Sequence, residues 1–229
     1  MEEREIKEKA IVIKNEDSGE ADRIITLLTL EHGKIRAKMK GVKKSKAKLA
    51  YASFPFNFGE YLLIKSGRNY TVTNCSYIDN FSGLTYDLNK YYAGAGVLEI
   101  AEKLSRESSD TYELFVAVLN ALKSLCYDEN VNIFTILSKY LVEVLEISGF
   151  KLNVEEKSGR YFDFVLGKLT SRQSEDVVLL DDVDSDALKH LILNEISSDE
   201  VVSKTILKLL ILFFENKVDE ELTILKKFI

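Results

Sequence analysis

Residues 23–48 have the sequence RIITLLTLEHGKIRAKMKGVKKSKAK, which contains two predicted β-strands on either side of a turn at His32-Gly33. Cationic and apolar residues alternate in the second strand, and successive side chains of a strand point to opposite faces. Its apolar members, Ile35, Ala37 and Met39, are therefore expected to face a core. The members expected on the outer face are Lys34, Arg36, Lys38 and Lys40.

The charge of this stretch is of one sign. Residues 34–48 hold eight Lys and Arg and no Asp or Glu, and after Gly41 the run continues in a predicted loop with Lys43, Lys44, Lys46 and Lys48. Lys65 and Arg68, at a second turn signal, extend the basic surface. A strand and a loop of one sign favour a phosphate backbone as partner. The alternative is an ordinary solvated strand face, although such faces usually mix charges because neighbouring like charges repel.

The composition of the 229 residues is ordinary for a globular protein, with 46% apolar and 30% charged residues. The overall charge is −6, yet residues 1–80 carry 15 Lys and Arg against 11 Asp and Glu, a net of +4. A basic first third joined to an acidic remainder suggests that one part meets a polyanion. The N-terminus is too polar for a signal peptide, no apolar stretch can span a bilayer, and Cys75 and Cys126 lie far apart. These features predict a cytoplasmic protein.

The first part of the chain reads as five short strands, which fit a small barrel of OB or SH3 type. We expect a loop over the polar residues 15–20 and a short helix over residues 45–50 between the third and fourth strands. The alternating aromatics Phe54, Phe56 and Phe58 are expected in the barrel core. Tyr51 and Tyr70 are the candidates for exposed stacking on nucleic-acid bases, with a packing role as the alternative.

From about residue 85 the hydrophobic period becomes helical. Helices are predicted over residues 88–104, 112–126, 133–147, 186–196, 201–214 and 220–228, with a β-hairpin insertion at about 150–174. The fold class is therefore α+β: an OB-fold barrel over residues 1–80, followed by a mostly α-helical domain over residues 81–229 with a small β-hairpin insertion.

No pattern of residues predicts catalysis. The two histidines, His32 and His190, have no neighbouring nucleophile, and the acidic residues between 175 and 186 match no ligand loop for a divalent metal. Gly94 and Gly96 lie within a predicted helix rather than in a phosphate-binding loop. The sequence therefore favours a binding protein over an enzyme.

An ordered combination of segments resembles the RecO family of bacterial recombination mediators. It consists of residues 19–35 (GEADRIITLLTLEHGKI) and residues 40–46 (KGVKKSK), which are similar to that family's glutamate–alanine–aspartate loop, second strand, glycine turn and basic third strand. The order of barrel, helical domain and β insertion also agrees, so that the resemblance covers essentially the whole chain.

One departure from the family concerns zinc. Many RecO proteins carry a four-cysteine zinc element at the position of residues 150–174, whose flanks resemble Gly149–Leu152 and Gly167–Leu169. Here the interval contains no Cys or His, and tetrahedral zinc needs four such ligands. We therefore expect no structural zinc and no other cofactor, and a hairpin that rests on packing through Tyr161, Phe162 and Phe164.

The resemblance implies a non-enzymatic DNA-repair protein that binds single- and double-stranded DNA and anneals complementary strands. It implies that the protein works with RecR and helps to load RecA onto DNA coated by single-strand-binding protein. The expected phosphate contacts are Arg23, Lys34, Arg36, Lys38, Lys40, Lys43, Lys44, Lys46, Lys48, Lys65 and Arg68. Localisation to the cytoplasm, in association with the nucleoid, would follow.

Two other functions remain open from the residues alone. An OB- or SH3-like barrel can bind structured RNA, and the acidic helical domain can serve as a protein-interaction adaptor. A peripheral membrane role is disfavoured because no lipidation signal or exposed amphipathic helix accompanies the basic loop.

Overall fold

The computed structural model describes residues 4–107, 109, 111–128, 132–155, 159–196 and 201–229. Its first part is a closed five-stranded barrel in the order β1-β2-β3-β5-β4. The strands are β1 (Arg4–Ser18), β2 (Asp22–Thr29), β3 (Lys34–Met39), β4 (Phe58–Ser66) and β5 (Asn69–Asp79). β1 pairs with both β2 and β4, and β3 pairs with β5 in parallel, so that no strand of the barrel is left as an edge. The predicted α+β class and the OB-like barrel are confirmed.

The alternation predicted for β3 is confirmed by burial. Ile35, Ala37 and Met39 are at most 3% exposed and lie in the barrel interior, whereas Arg36 is exposed. The interior is completed from the other strands by Ala10, Val12, Ile25, Leu27, Tyr61, Leu63 and Val72. Because the period of a strand is two, the intervening residues of β1 and β2 point outward, where Ile11, Ile13 and Leu28 pack against the helices.

The expectation that Phe54, Phe56 and Phe58 fill the barrel core is wrong. Phe54 is 49% exposed. Phe56 and Phe58 are buried, but in the cluster between barrel and helices, where Phe58 meets Phe115 at 5.9 Å between ring centroids. The chain does not yet follow a strand here, since β4 begins only at Phe58 and Phe56 has a positive φ, so that alternation does not apply.

Two further expectations in the barrel are wrong. Residues 15–18 are not a loop but continue β1, because their backbone pairs with the start of β2, with Asp17 opposite Arg23. Residues 45–50 form successive turns instead of a helix, with Ala47 N–H donating to Lys44 O at 3.0 Å. A single 3-10 turn follows at Tyr51–Ser53, and its Ala52 carbonyl accepts a hydrogen bond from the buried Tyr61 hydroxyl at 2.9 Å.

The second part of the chain is mainly helical. Its helices are α1 (Gly83–Tyr86), α2 (Leu88–Leu104), α3 (Tyr112–Tyr127), α4 (Ile133–Ile147), α5 (Asp182–Leu193), α6 (Lys204–Val218) and α7 (Thr223–Phe228). The Asp87 carboxylate caps α2 by accepting the N–H groups of Asn89 and Lys90. No described helix combines the length and the apolarity that crossing a membrane would require.

The predicted hairpin is the centre of a four-stranded sheet in the order β6-β8-β7-β9. Its strands are β6 (Asn153–Val154), β7 (Tyr161–Asp163), β8 (Lys168–Thr170) and β9 (Val177–Leu179), and residues 156–158 of the insertion lie outside the described residues. Phe162 is fully buried and packs on Phe213 of α6, with ring centroids 5.5 Å apart. Aromatic packing therefore anchors this sheet to the helices.

The segment between α2 and α3 joins the helical part to the turn before β3. Lys34 N–H donates to Arg106 O at 2.9 Å, and Thr111 Oγ1 donates to Thr29 O at 2.9 Å. Gly33 also forms a bridge with Glu107. These contacts fix the basic strand β3 against the helices and define one wall of the site described next.

Candidate nucleic-acid interface

A groove runs along the outer face of the barrel where β3 meets β5. The parallel pairing places Ala37 beside Tyr70 and Lys38 beside Thr71, which brings the β4–β5 turn next to the basic strand. The resulting cavity has a volume of about 510 Å³. Its basic lining consists of Lys34, Arg36, Lys38 and Arg68, together with the rings of His32 and Tyr70.

A second cavity continues this groove. It has a volume of about 560 Å³ and shares His32 and Tyr70 with the first. Arg4 and Lys65 add two further cations to its lining, which also includes Tyr112 at the start of α3. We call the two cavities together the barrel groove; its walls carry six cations over an elongated surface.

Carboxylates of β1 and β2 hold several of the predicted phosphate ligands. Arg36 pairs with Glu16 at 2.6 Å and Lys38 with Asp22 at 2.9 Å. Lys34 is held instead by a backbone carbonyl: its Nζ donates to Glu102 O at 2.9 Å. The cations of β3 are therefore positioned, and partly neutralised, in the free protein.

Asp17 has the same role beside the loop. It accepts hydrogen bonds from Lys43 at 2.6 Å and from Arg23 at 3.2 Å, and these two cations hold the pKa of its carboxyl below the ordinary value. The pKa of Asp22 is lowered likewise, first by the N–H of Gly41 and then by Lys38. Both carboxylates therefore stay ionised at neutral pH, so that the ion pairs persist there.

Residues 40–48 form a basic loop that is ordered by turns. Its exposed cations without a salt bridge to any described residue are Lys40, Lys44, Lys46 and Lys48. Arg68, on the β4–β5 turn, has none within the described ranges either. Lys65 lies 5.3 Å from the centroid of Tyr70, as a cation–π contact. Of the predicted residues, the groove gathers Lys34, Arg36, Lys38, Lys65 and Arg68. The others lie outside its lining, Arg23 on β2 and the remaining lysines in the basic loop.

The two predicted stacking residues have different surroundings. Tyr70 lines both cavities of the barrel groove, where its ring is half-buried. Tyr51 is 40% exposed and lies outside the groove lining, with its hydroxyl donating to Cys75 O at 2.8 Å. Neither expectation is decided by these positions, but only Tyr70 lies between the groove cations.

The sequence indicated His32 only as a turn residue and did not predict its contact with Glu8. Its Nδ1 contacts the carboxylate of Glu8, which is 3% exposed. One carboxylate oxygen each of Glu8 and Glu31 and a ring nitrogen of His32 lie within 4.8 Å of one another. Burial raises the pKa of the Glu8 carboxyl, and His32 partly opposes that shift. The contact fixes the imidazole at the junction of the two cavities. No local motif indicates it, because Glu8 lies on β1 and His32 in the turn between β2 and β3, far apart in the sequence.

Neutralising Asp17 is expected to strengthen the binding of a polyanion to the basic surface. In an Asp17→Asn variant, Lys43 and Arg23 lose their counter-charge and become available to phosphates, so the affinity for an oligothymidine should rise about fivefold at low salt. Asp176→Asn, at an exposed carboxylate immediately before β9, is the matched control for the change in net charge. Fluorescence anisotropy measures the affinity of both variants for the oligothymidine. An unchanged or weaker affinity for Asp17→Asn would place the bound polyanion away from these cations.

Comparison with known proteins identifies the same family for both parts of the chain. The family model described as recombination protein O N terminal matches residues 1–81, and the model described as recombination protein O C terminal matches residues 85–224. Together they cover nearly the whole sequence.

Curated relatives share the name DNA repair protein RecO. The protein of Shouchella clausii is 34% identical over 119 residues, covering 52% of this chain and 46% of that relative. The protein of a Nocardioides species is 32% identical over 152 residues, covering 65% of this chain and 62% of the relative. The protein of Bacillus pumilus is 32% identical over 151 residues, covering 66% of this chain and 58% of that relative. The matched part of the chain thus spans about half to three-fifths of these relatives' length.

Proposed function

The chain belongs to the recombination protein O family, and from that membership we propose that it serves DNA repair and homologous recombination by binding DNA. It holds single- and double-stranded DNA through phosphate contacts and anneals complementary strands. Bringing two polyanions together requires that their mutual repulsion be screened. A basic surface screens it without making or breaking a covalent bond.

The barrel groove is the observation that supports this proposal most directly. OB-folds bind oligonucleotides on the face of strands 2 and 3 with the neighbouring loops, including the loop between strands 4 and 5. Here that face carries Lys34, Arg36 and Lys38 from β3, and Arg68 from the β4–β5 turn, in one cavity. Cations in a row with ring side chains between them suit a backbone with exposed bases.

We propose binding rather than catalysis as the role of this site. Six of the groove side chains are cations, and Lys34, Arg36 and Lys38 among them are held by a hydrogen bond or an ion pair, which suits the positioning of a polyanion. The free energy of binding is then electrostatic and largely independent of base sequence.

The proposed partners follow from the family. In the cytoplasm, on nucleoid DNA, the protein works with RecR and single-strand-binding protein and helps to load RecA onto single-stranded DNA. The two-part charge distribution fits a division of labour, since the basic barrel faces DNA and the acidic helical part is left to proteins.

Annealing of two labelled complementary oligonucleotides tests the proposal. The protein should accelerate annealing at low salt, and its affinity for single strands should fall with salt at a log–log slope of about −4, as expected for about six phosphate contacts. Six is the number of cations along the barrel groove. Annealing rate and affinity are both measured between about 50 and 300 mM salt. Over this range the Debye screening length shortens by several ångströms, a change comparable to the distances of the ion contacts.

Other outcomes point to other functions. Equal affinity for duplex RNA and single-stranded DNA without annealing would favour an RNA-binding module. No binding to either would contradict the proposal and leave an adaptor acting through the acidic helical part.

A further inference from the structure

Three aromatic side chains lie exposed near the basic loop but outside the barrel groove. Tyr51, Phe54 and Tyr77 are 40%, 49% and 54% exposed, respectively, and we call them the ring surface. None of the three belongs to the lining of either groove cavity. Burying large apolar rings is normally favourable, so a group of exposed ones calls for a partner.

The ring surface is ordered by its own contacts. The rings of Tyr51 and Tyr77 meet edge to face with centroids 6.2 Å apart, and the Tyr51 hydroxyl is fixed by Cys75 O. The guanidinium of Arg23 lies 4.4 Å from the centroid of Phe54 and donates to Ser53 Oγ at 3.0 Å. Because these side chains are already held, a ligand that stacks on them loses little of its binding free energy to ordering them.

Positive charge adjoins the ring surface. Arg23, on Phe54, shares Asp17 with Lys43 of the basic loop, which links the rings to that loop. Lys44, Lys46 and Lys48 are exposed and immediately precede Tyr51 in the chain. Exposed rings next to cations that form no salt bridge with a described residue match a ligand with flat apolar faces and a negative backbone.

We propose that the ring surface binds the bases of single-stranded DNA by stacking, while the basic loop holds the adjoining phosphates. This inference rests on the proposed DNA-binding function and adds a second contact surface to it. Bases in a duplex are stacked on each other and cannot reach the rings, so this surface distinguishes single strands from duplexes. The barrel groove and the ring surface then hold different parts of the nucleic acid, one through charge and one through bases.

Removing two rings tests the inference. A Phe54→Ala/Tyr77→Ala variant should bind oligothymidine about tenfold or more weakly, because each stacked base contributes on the order of tenfold in affinity. Its affinity for an abasic oligodeoxynucleotide of the same length, and the salt slope for oligothymidine, should equal those of the wild type. Tyr86→Ala is the matched control, since Tyr86 of α1 is 87% exposed and contributes no ring to this surface.

The absence of tryptophan from the sequence allows a direct reading of stacking. Tyr77→Trp keeps a ring at the position and provides the only tryptophan, whose fluorescence should be quenched by oligothymidine and not by the abasic strand. The fluorescence of a Tyr86→Trp variant, whose tryptophan lies outside the ring surface, should be quenched by neither strand.

The possible failures are distinguishable. If the wild type binds neither oligonucleotide, the proposed function itself fails. If the wild type binds both but the two-ring variant loses nothing and Tyr77→Trp is not quenched, DNA binding stands and the ring surface is overturned as a DNA site; a protein partner would then be its occupant.

Discussion

Reversing the charge of Arg36 and Arg68 together is expected to weaken binding of single-stranded DNA about a hundredfold at low salt. The two side chains approach the same cavity from β3 and from the β4–β5 turn, so a strand in the barrel groove passes both. Each lost phosphate contact removes the release of a counterion, and each new carboxylate repels the backbone. The log–log salt slope should become shallower by about 1.4, at about 0.7 for each contact to a single strand.

These two positions are chosen because both are exposed and the fold depends little on them. Arg36 forms a surface ion pair with Glu16, whose net contribution to stability is small. Lys38 is less suitable, since it shares Asp22 with the N–H of Gly41, and a glutamate there would meet the carboxylate that orders the start of the basic loop.

A double variant on the helical part controls for net charge. Lys123→Glu and Lys139→Glu change the overall charge by the same amount at exposed positions of α3 and α4. Anisotropy of a labelled oligothymidine over a series of salt concentrations should show near-wild-type binding for this control. Equal losses in both double variants would mean that only total charge matters, and an unaffected Arg36/Arg68 variant would move the binding surface to the basic loop.

The parts of the fold that could be predicted are those set by local periodicity. Ile35, Ala37 and Met39 face the barrel interior because a strand alternates every second residue, whatever its neighbours are. The α2 boundary at Asp87 was predictable for a similar reason, since an N-cap acts within three residues. Where regular structure pauses, as at Phe54–Phe56, the period carries no information and the prediction of a barrel core was wrong.

The candidate site was harder to predict because its geometry is non-local. The sequence places eight cations and no carboxylate within residues 34–48, but the register of β1, β2 and β3 sets Glu16, Asp17 and Asp22 beside three of them. The groove itself depends on the parallel pairing of β3 with β5, which brings Tyr70 beside Ala37 across more than thirty residues of chain. No property of residues 34–48 alone indicates which cations stay without a carboxylate partner.

Replacing Gly33 by alanine is expected to destabilise the fold by at least about 3 kcal/mol, the largest effect we predict on stability. Gly33 has a φ of +74°, which L-residues with a side chain adopt at a cost. In addition, a Cβ there would lie 2.5 Å from Arg106 O and 2.9 Å from Ser109 N, which are backbone atoms that no side-chain rotation can move aside. The added methyl must therefore displace the segment that donates and accepts hydrogen bonds at the barrel turn.

Gly19 separates the two causes of this cost. Its φ is +71°, but a Cβ there would meet no atom within 4 Å, so Gly19→Ala carries only the conformational cost of about 1 kcal/mol. Urea unfolding followed by circular dichroism gives both values, and tyrosine fluorescence serves as the second probe because the chain has no tryptophan. Equal losses of stability in the two variants would contradict the role assigned to the close approach of Arg106 and Ser109 to Gly33. A larger loss at Gly33, accompanied by weaker DNA binding in the variant that still folds, would show that this turn fixes the basic strand against the helices, since Lys34 is held there by both Arg106 O and Glu102 O.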